Sequence, residues 1–166
     1  MKNLIKLFSF AALVAFFVTS CDTDPCKNVI CGDFGTCVEG ICICDAGYEQ
    51  DGAGQCATIM RTKFLGNFST TENCNSGTTD AYVNTISEST EGISRITIGN
   101  FYNFANNTVK ATVDGTTVTI EDQTTPDNFQ VVGDGSIAGD VLSISFIITD
   151  NVNGGSDTCL TTMTRQ

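Results

Sequence analysis

Thr108-Val-Lys-Ala-Thr-Val113-Asp114-Gly115-Thr116-Thr-Val-Thr-Ile-Glu121 decides the fold of the larger part of the chain. Apolar residues alternate with polar ones on both sides of Asp114-Gly115, which is the pattern of two half-buried strands joined by a two-residue hairpin turn. The same alternation returns at Val141 to Thr149, where Leu142, Ile144, Phe146 and Ile148 share one face. Gly139-Asp140 marks the turn before it. Working outward, eight strands are expected near residues 61–69, 81–88, 93–100, 108–113, 116–121, 128–137, 140–149 and 157–164. No window carries a convincing helical stripe. Short connections imply antiparallel neighbours, and eight such strands can close into an up-and-down β-barrel, with a two-sheet β-sandwich as the alternative.

An eight-strand barrel has an interior that is either filled by side chains or holds one small ligand. The inward candidates are Val109, Ala111, Val113, Val118, Ile120, Leu142, Ile144, Phe146 and Ile148. They are bulky enough to favour a packed interior over a cavity, and any ligand they admitted would be small and hydrophobic. Cys74 is expected after the first strand and Cys159 in the last. A Cys74–Cys159 bridge would tie the ends of the domain, residues 60–166, where a barrel must close.

Composition excludes several functions. The chain has 166 residues, nine cysteines, no histidine, no tryptophan and a net charge of −11. Without histidine there is no Ser-His-Asp or Cys-His nucleophile and no imidazole-bound zinc. The acidic balance argues against nucleic acid as a partner. Carboxylate-only catalysis survives, but residues such as Asp114, Glu121, Asp150 and Asp157 fall in turns or at strand ends that explain them without it, so the chain is not expected to be an enzyme. The oxygen-rich loop 150–157 could hold calcium, although it lacks EF-hand spacing; a flexible hairpin connection is the simpler reading, and no cofactor is expected.

At the amino terminus, basic Lys2 and Lys6 precede an apolar run from Leu7 to Val18. Roughly 20 residues are needed to span a bilayer as a helix, so this shorter run reads as a secretory signal over residues 1–20. Val18-Thr19-Ser20-Cys21 resembles a bacterial lipobox, which implies that Cys21 is lipidated and becomes the first mature residue. Cysteine parity agrees, because Cys21 is the odd one of nine. Residues 21–25 then form a lipidated tether, and the protein is expected to be anchored to a membrane through lipid without spanning it.

From Cys26 the spacing is Cys26-x4-Cys31-x5-Cys37-x4-Cys42-x-Cys44-x11-Cys56, with Gly47-Tyr48 behind the fifth cysteine. Six cysteines permit 15 connectivities, and a segment of about 30 residues needs such staples to fold. A zinc cluster is the competing reading, disfavoured by the single residue between Cys42 and Cys44. The pattern over residues 26–56 resembles an EGF-like module. That resemblance implies bridges Cys26–Cys37, Cys31–Cys42 and Cys44–Cys56. Asp22-Thr23-Asp24 resembles the start of a calcium-binding variant, but Pro25 stands where that variant has an acid, and the segment from Cys37 to Cys42 lacks its further ligands.

The whole chain resembles Bacteroidota-type lipoproteins in which an EGF-like module precedes a lipocalin-like (calycin-like) small β-barrel. Phe64-Leu65-Gly66-Asn67-Phe68, placed in the first expected strand, resembles the Gly-x-Trp of lipocalins with Phe68 in place of tryptophan. The resemblance implies an all-β protein of the bacterial cell envelope, lipid-anchored at the outer membrane with surface exposure. It would act as a non-enzymatic binding or adhesion module for a protein or glycan, or alternatively as a carrier of a small hydrophobic ligand inside the barrel.

Overall fold

The computed structural model describes residues 24–78 and 81–166. The signal segment, Cys21 and Asp22 lie outside the described residues, as do Thr79 and Asp80. The first module carries two small hairpins: β1 (Gly35–Val38) with β2 (Ile41–Cys44), and β3 (Tyr48–Gln50) with β4 (Cys56–Ile59). Its core is sulfur: Cys31, Cys42 and Cys56 are buried together. The bridges are Cys26–Cys37, Cys31–Cys42 and Cys44–Cys56, with Cα separations of 5.8, 5.3 and 5.2 Å. Phe34 stacks on Tyr48 at 4.0 Å between ring centroids, which supplies the small module with its one aromatic contact.

The larger domain is an eight-stranded antiparallel barrel. Its strands are β5 (Gly66–Cys74), β7 (Tyr82–Glu88), β8 (Arg95–Gly99), β9 (Thr108–Asp114), β10 (Thr117–Thr124), β11 (Phe129–Ala138), β12 (Val141–Asp150) and β13 (Gly155–Arg165), with a two-residue β6 (Gly77–Thr78) beside the end of β5. Each strand pairs with the next in sequence, and β13 returns to pair with β5 from Cys159 opposite Cys74 to Arg165 opposite Phe68. Closure leaves the barrel no free edges, so the sandwich alternative does not apply. The two-residue turn is Gly115-Thr116, one residue later than the Asp114-Gly115 expected, because Asp114 pairs with Thr117 in register; Gly115 has φ 56°, as a primed turn requires.

The nine inward candidates are all buried in one continuous cluster with Phe64, Phe68, Ile86, Ile96, Ile98, Phe101 and Met163. Close packing of β11 against β12 depends on two inward glycines. A Cβ at Gly133 would stand 2.6 Å from Phe146 Cβ, and one at Gly135 would strike the backbone of Ser143. Both positions must therefore stay empty for β11 and β12 to pack.

One expected element is corrected. The strand expected at 61–69 lies later: Met60–Phe64 form a 3-10 turn, and the first barrel strand runs from Gly66 to Cys74. Cys74 therefore ends that strand instead of following it. Side-chain demands explain the turn. Phe64 is fully buried and caps one end of the barrel, while Arg61 donates to the carbonyls of Ser89 (3.1 Å) and Gly92 (2.8 Å) and pairs with Glu88. Extended backbone through 61–64 would alternate these residues across two faces and lose one set of contacts.

The Cys74–Cys159 bridge spans 85 residues of sequence. Replacing both cysteines by alanine is expected to lower unfolding free energy by about 4 to 5 kcal/mol in the chain-entropy account. Urea denaturation checks this, with the far-ultraviolet strand signature retained in the variant.

Candidate functional site at the barrel mouth

The strands define two ends. At one end lie Phe64, the hairpin turns at Gly115 and Gly139, and the cysteine-rich module. There Met60 N donates to Gly47 O at 2.9 Å, Gly115 N donates to Met60 Sδ at 2.9 Å, and Lys63 pairs with Glu49 at 2.5 Å. Gly47 abuts Ile93 so closely that a side chain there would overlap it. The guanidinium of Arg165 lies 4.8 Å from the Phe68 ring centre, donates to the Lys63 and Leu65 carbonyls, and pairs with Asp140 at 3.3 Å. The last strand thus clasps the connection between the two domains.

The opposite end is the mouth, and a strap between β8 and β9 folds into it. Asn100, Tyr102 and Asn103 all take left-handed backbone angles, with φ of 56°, 58° and 56°. Such geometry persists for non-glycine residues only where neighbours over-determine it. They do so here. Asn84 Nδ2 donates to the Gly99 and Asn100 carbonyls at 2.8 and 3.1 Å, and Asn100 Nδ2 donates to Val83 O at 2.8 Å. Phe101 is driven inward against Phe146, with ring centres 4.7 Å apart. The strap is a stopper, and the barrel interior is occupied by the protein's own side chains.

Beneath the strap is a buried polar group absent from the sequence analysis. Glu72 is 1% exposed. Its Oε1 accepts from Tyr82 Oη at 2.5 Å and from Thr161 Oγ1 at 3.1 Å. Burial raises the Glu72 carboxyl above its ordinary pKa against the opposing pull of those two donors. Tyr82 is raised far beyond the ordinary phenol range by burial and by Glu72, so it stays a neutral donor. Next to this pair Thr70 donates to Asn84 Oδ1 at 2.6 Å, which carries the polar network to the strap.

An open cleft of about 500 Å³ lies at the mouth, lined by Tyr102, Phe129, Asp150, Asp157 and Ser76 among others. Its two carboxylates are held by turn chemistry. Asp150 accepts from the backbone N–H of Val152 (2.8 Å) and Asn153 (3.1 Å) and from the Asn153 side chain (2.8 Å). Asp157 accepts from Ser76 N at 3.3 Å and from the Ser76 hydroxyl. These bonds hold both carboxyls below their usual range, the Asn153 and Ser76 side chains being the largest causes. Asp157 also crowds Cys74 and Cys159, but both sulfurs are spent in the disulfide, so no thiolate is offered to a metal. The loop 150–157 adopts an Asx turn at Asp150, the hairpin connection expected from its composition.

Residues 21–53 match the EGF-like domain family. The match stops short of Cys56, whose bridge to Cys44 completes the module. No curated protein matches the chain. Among solved structures, a redesigned β-barrel is similar at 14% identity and a TM-score of 0.43, over 64% of this chain and 95% of that one.

The Glu72 environment has a measurable sign. Its folded-state pKa lies above the ordinary 4.5, so the native state holds a proton that the unfolded chain releases. Its contribution is fully present below about pH 4.5 and is lost as pH rises through the elevated folded value. Glu72→Gln, which mimics the protonated form, removes that loss. Between pH 4.5 and 7, the stability of the variant relative to wild type is expected to rise, as read by urea denaturation at stepped pH.

Proposed function

We propose that the protein is a lipid-anchored, non-enzymatic binding or adhesion module of the bacterial cell envelope, held at the outer membrane with surface exposure. Its EGF-like module spaces a barrel head, and the head meets a protein or glycan partner. The observation that carries this reading is the polarity of the barrel. The cysteine-rich module and the Met60–Phe64 turn cover one end, while the open cleft beside Tyr102 and Phe129 lies at the other. A tether at Cys21 enters through the module, so the mouth is the end presented away from the membrane.

The carrier reading stands second because Phe101, Phe146, Ile98 and Ile120 fill the space such a ligand would take. Binding is therefore assigned to the mouth and outer faces. The anchor rests on the lipobox resemblance at Val18-Thr19-Ser20-Cys21 and on parity: four bridges consume eight of the nine cysteines and leave Cys21 for the lipid.

Intact mass spectrometry on detergent-extracted protein, expressed with its own amino terminus in a lipoprotein-processing bacterium, tests the anchor. The expected mass is that of the chain from Cys21 to Gln166 with acyl chains added and two hydrogens lost for each disulfide. An unacylated mass overturns the anchoring.

A further inference from the structure

The β1–β2 hairpin has two unlike faces. Cys37 and Cys42 stand opposite one another and turn into the disulfide core. On the other face Val38 pairs across from Ile41, and Ile43 lies two residues farther along the same side. These three aliphatic residues are 51%, 63% and 55% exposed. An aliphatic cluster this open on so small a module is a candidate contact surface.

The position of the cluster says what covers it. Glu39-Gly40 forms the hairpin tip, with both residues at positive φ. That tip packs on the start of the described chain: a Cβ at Gly40 would stand 3.4 Å from Pro25 O and 3.7 Å from Pro25 Cβ. The Cys26–Cys37 bridge fastens the same two segments. Cys21 precedes Pro25 by only four residues, which reach at most about 14 Å when fully extended. A lipid on Cys21 therefore keeps Pro25, and the hairpin tip packed on it, within about 14 Å of the bilayer surface.

We infer that the Val38, Ile41 and Ile43 face of the β1–β2 hairpin lies on the lipid surface and seats the module in the headgroup region, an inference that rests on the lipid anchor proposed above. Asp24 and Glu39 flank the tip, so the matching surface is one of zwitterionic headgroups, since an anionic one would repel them. Lipid anchor and hairpin act as two contacts on one membrane. Together they fix the direction in which the barrel leaves it.

The chain has no tryptophan, so a single introduced indole reports its own surroundings. The lipidated full chain carrying Ile41→Trp, and separately Ile43→Trp, is incorporated into vesicles of phosphatidylethanolamine and phosphatidylcholine. Val152→Trp, at a position 71% exposed beside the barrel mouth, is the reference. The indoles at 41 and 43 are expected to emit at shorter wavelength in vesicles than in detergent-free buffer and to lose intensity when lipids carry a shallow doxyl quencher. The indole at 152 is expected to do neither. Protein that floats with the vesicles while the indoles at 41 and 43 behave like that at 152 overturns the inference and leaves the anchor standing. Protein that fails to float overturns the anchor, and the inference falls with it.

Discussion

Everything in the larger domain depends on β13 pairing with β5. Seven antiparallel neighbours follow one another by short turns, and each of those pairings is local in sequence. The eighth joins residues 68–74 to residues 159–165 across the whole domain. Without it, two strand edges and the apolar side chains between them would face water. Three features converge on this seam. The Cys74–Cys159 bridge fastens one end, the buried Glu72, Thr161 and Tyr82 group lies in the middle, and Arg165 over Phe68 closes the other. The seam is also where the module is attached, because Arg165 holds the carbonyls of the connecting turn.

A closed barrel still has two open ends, and the chain stops each with a phenylalanine. Phe64 does so where the module docks, on a 3-10 turn that immediately precedes β5. Phe101 does so at the mouth, on a strap whose left-handed Asn100 is held by the Asn84 side chain and by its own. The two ends differ in what lies outside them. Beyond Phe64 are the module and its ion pair between Glu49 and Lys63; beyond Phe101 is an open cleft with aromatic and acidic walls. A head filled with its own side chains has its outer surface and its mouth left for recognition, which is the basis of the binding role proposed here.

Much of this architecture was legible in the residues, and the parts that were not share a cause. Strict alternation in residues 108–121 and 141–149 identifies the strands and their inward faces, because a period of two admits no other placement once one face is buried, while the turn between the first two lies one residue later than the Asp114-Gly115 pair suggests. The cysteine spacing carries the resemblance to an EGF-like module, and that resemblance, where counting leaves 15 connectivities, implies the bridges Cys26–Cys37, Cys31–Cys42 and Cys44–Cys56. The first strand was misplaced because Phe64, Leu65 and Phe68 drew it toward the apolar residues. Its second half, Thr70 to Cys74, is polar in sequence and yet inward at every other position. Had it been extended, the alternation of Phe68, Thr70, Glu72 and Cys74 would have exposed Glu72 as an interior carboxyl. The strap at 100–104 was unreadable for a different reason. Left-handed backbone at Asn100, Tyr102 and Asn103 is fixed by partners on β7, which local sequence does not reveal.

The central claim is that the barrel interior is filled by the protein's own side chains, which the proposed role of its exterior requires. Fluorescence titration of the full chain with an apolar probe that brightens inside hydrophobic cavities tests it most directly. A filled interior predicts no saturable binding, with probe emission rising no more than in the presence of a packed control protein. Saturable, one-to-one binding that a long-chain fatty acid displaces would show that Phe101 yields its place to a ligand, and would contradict the account.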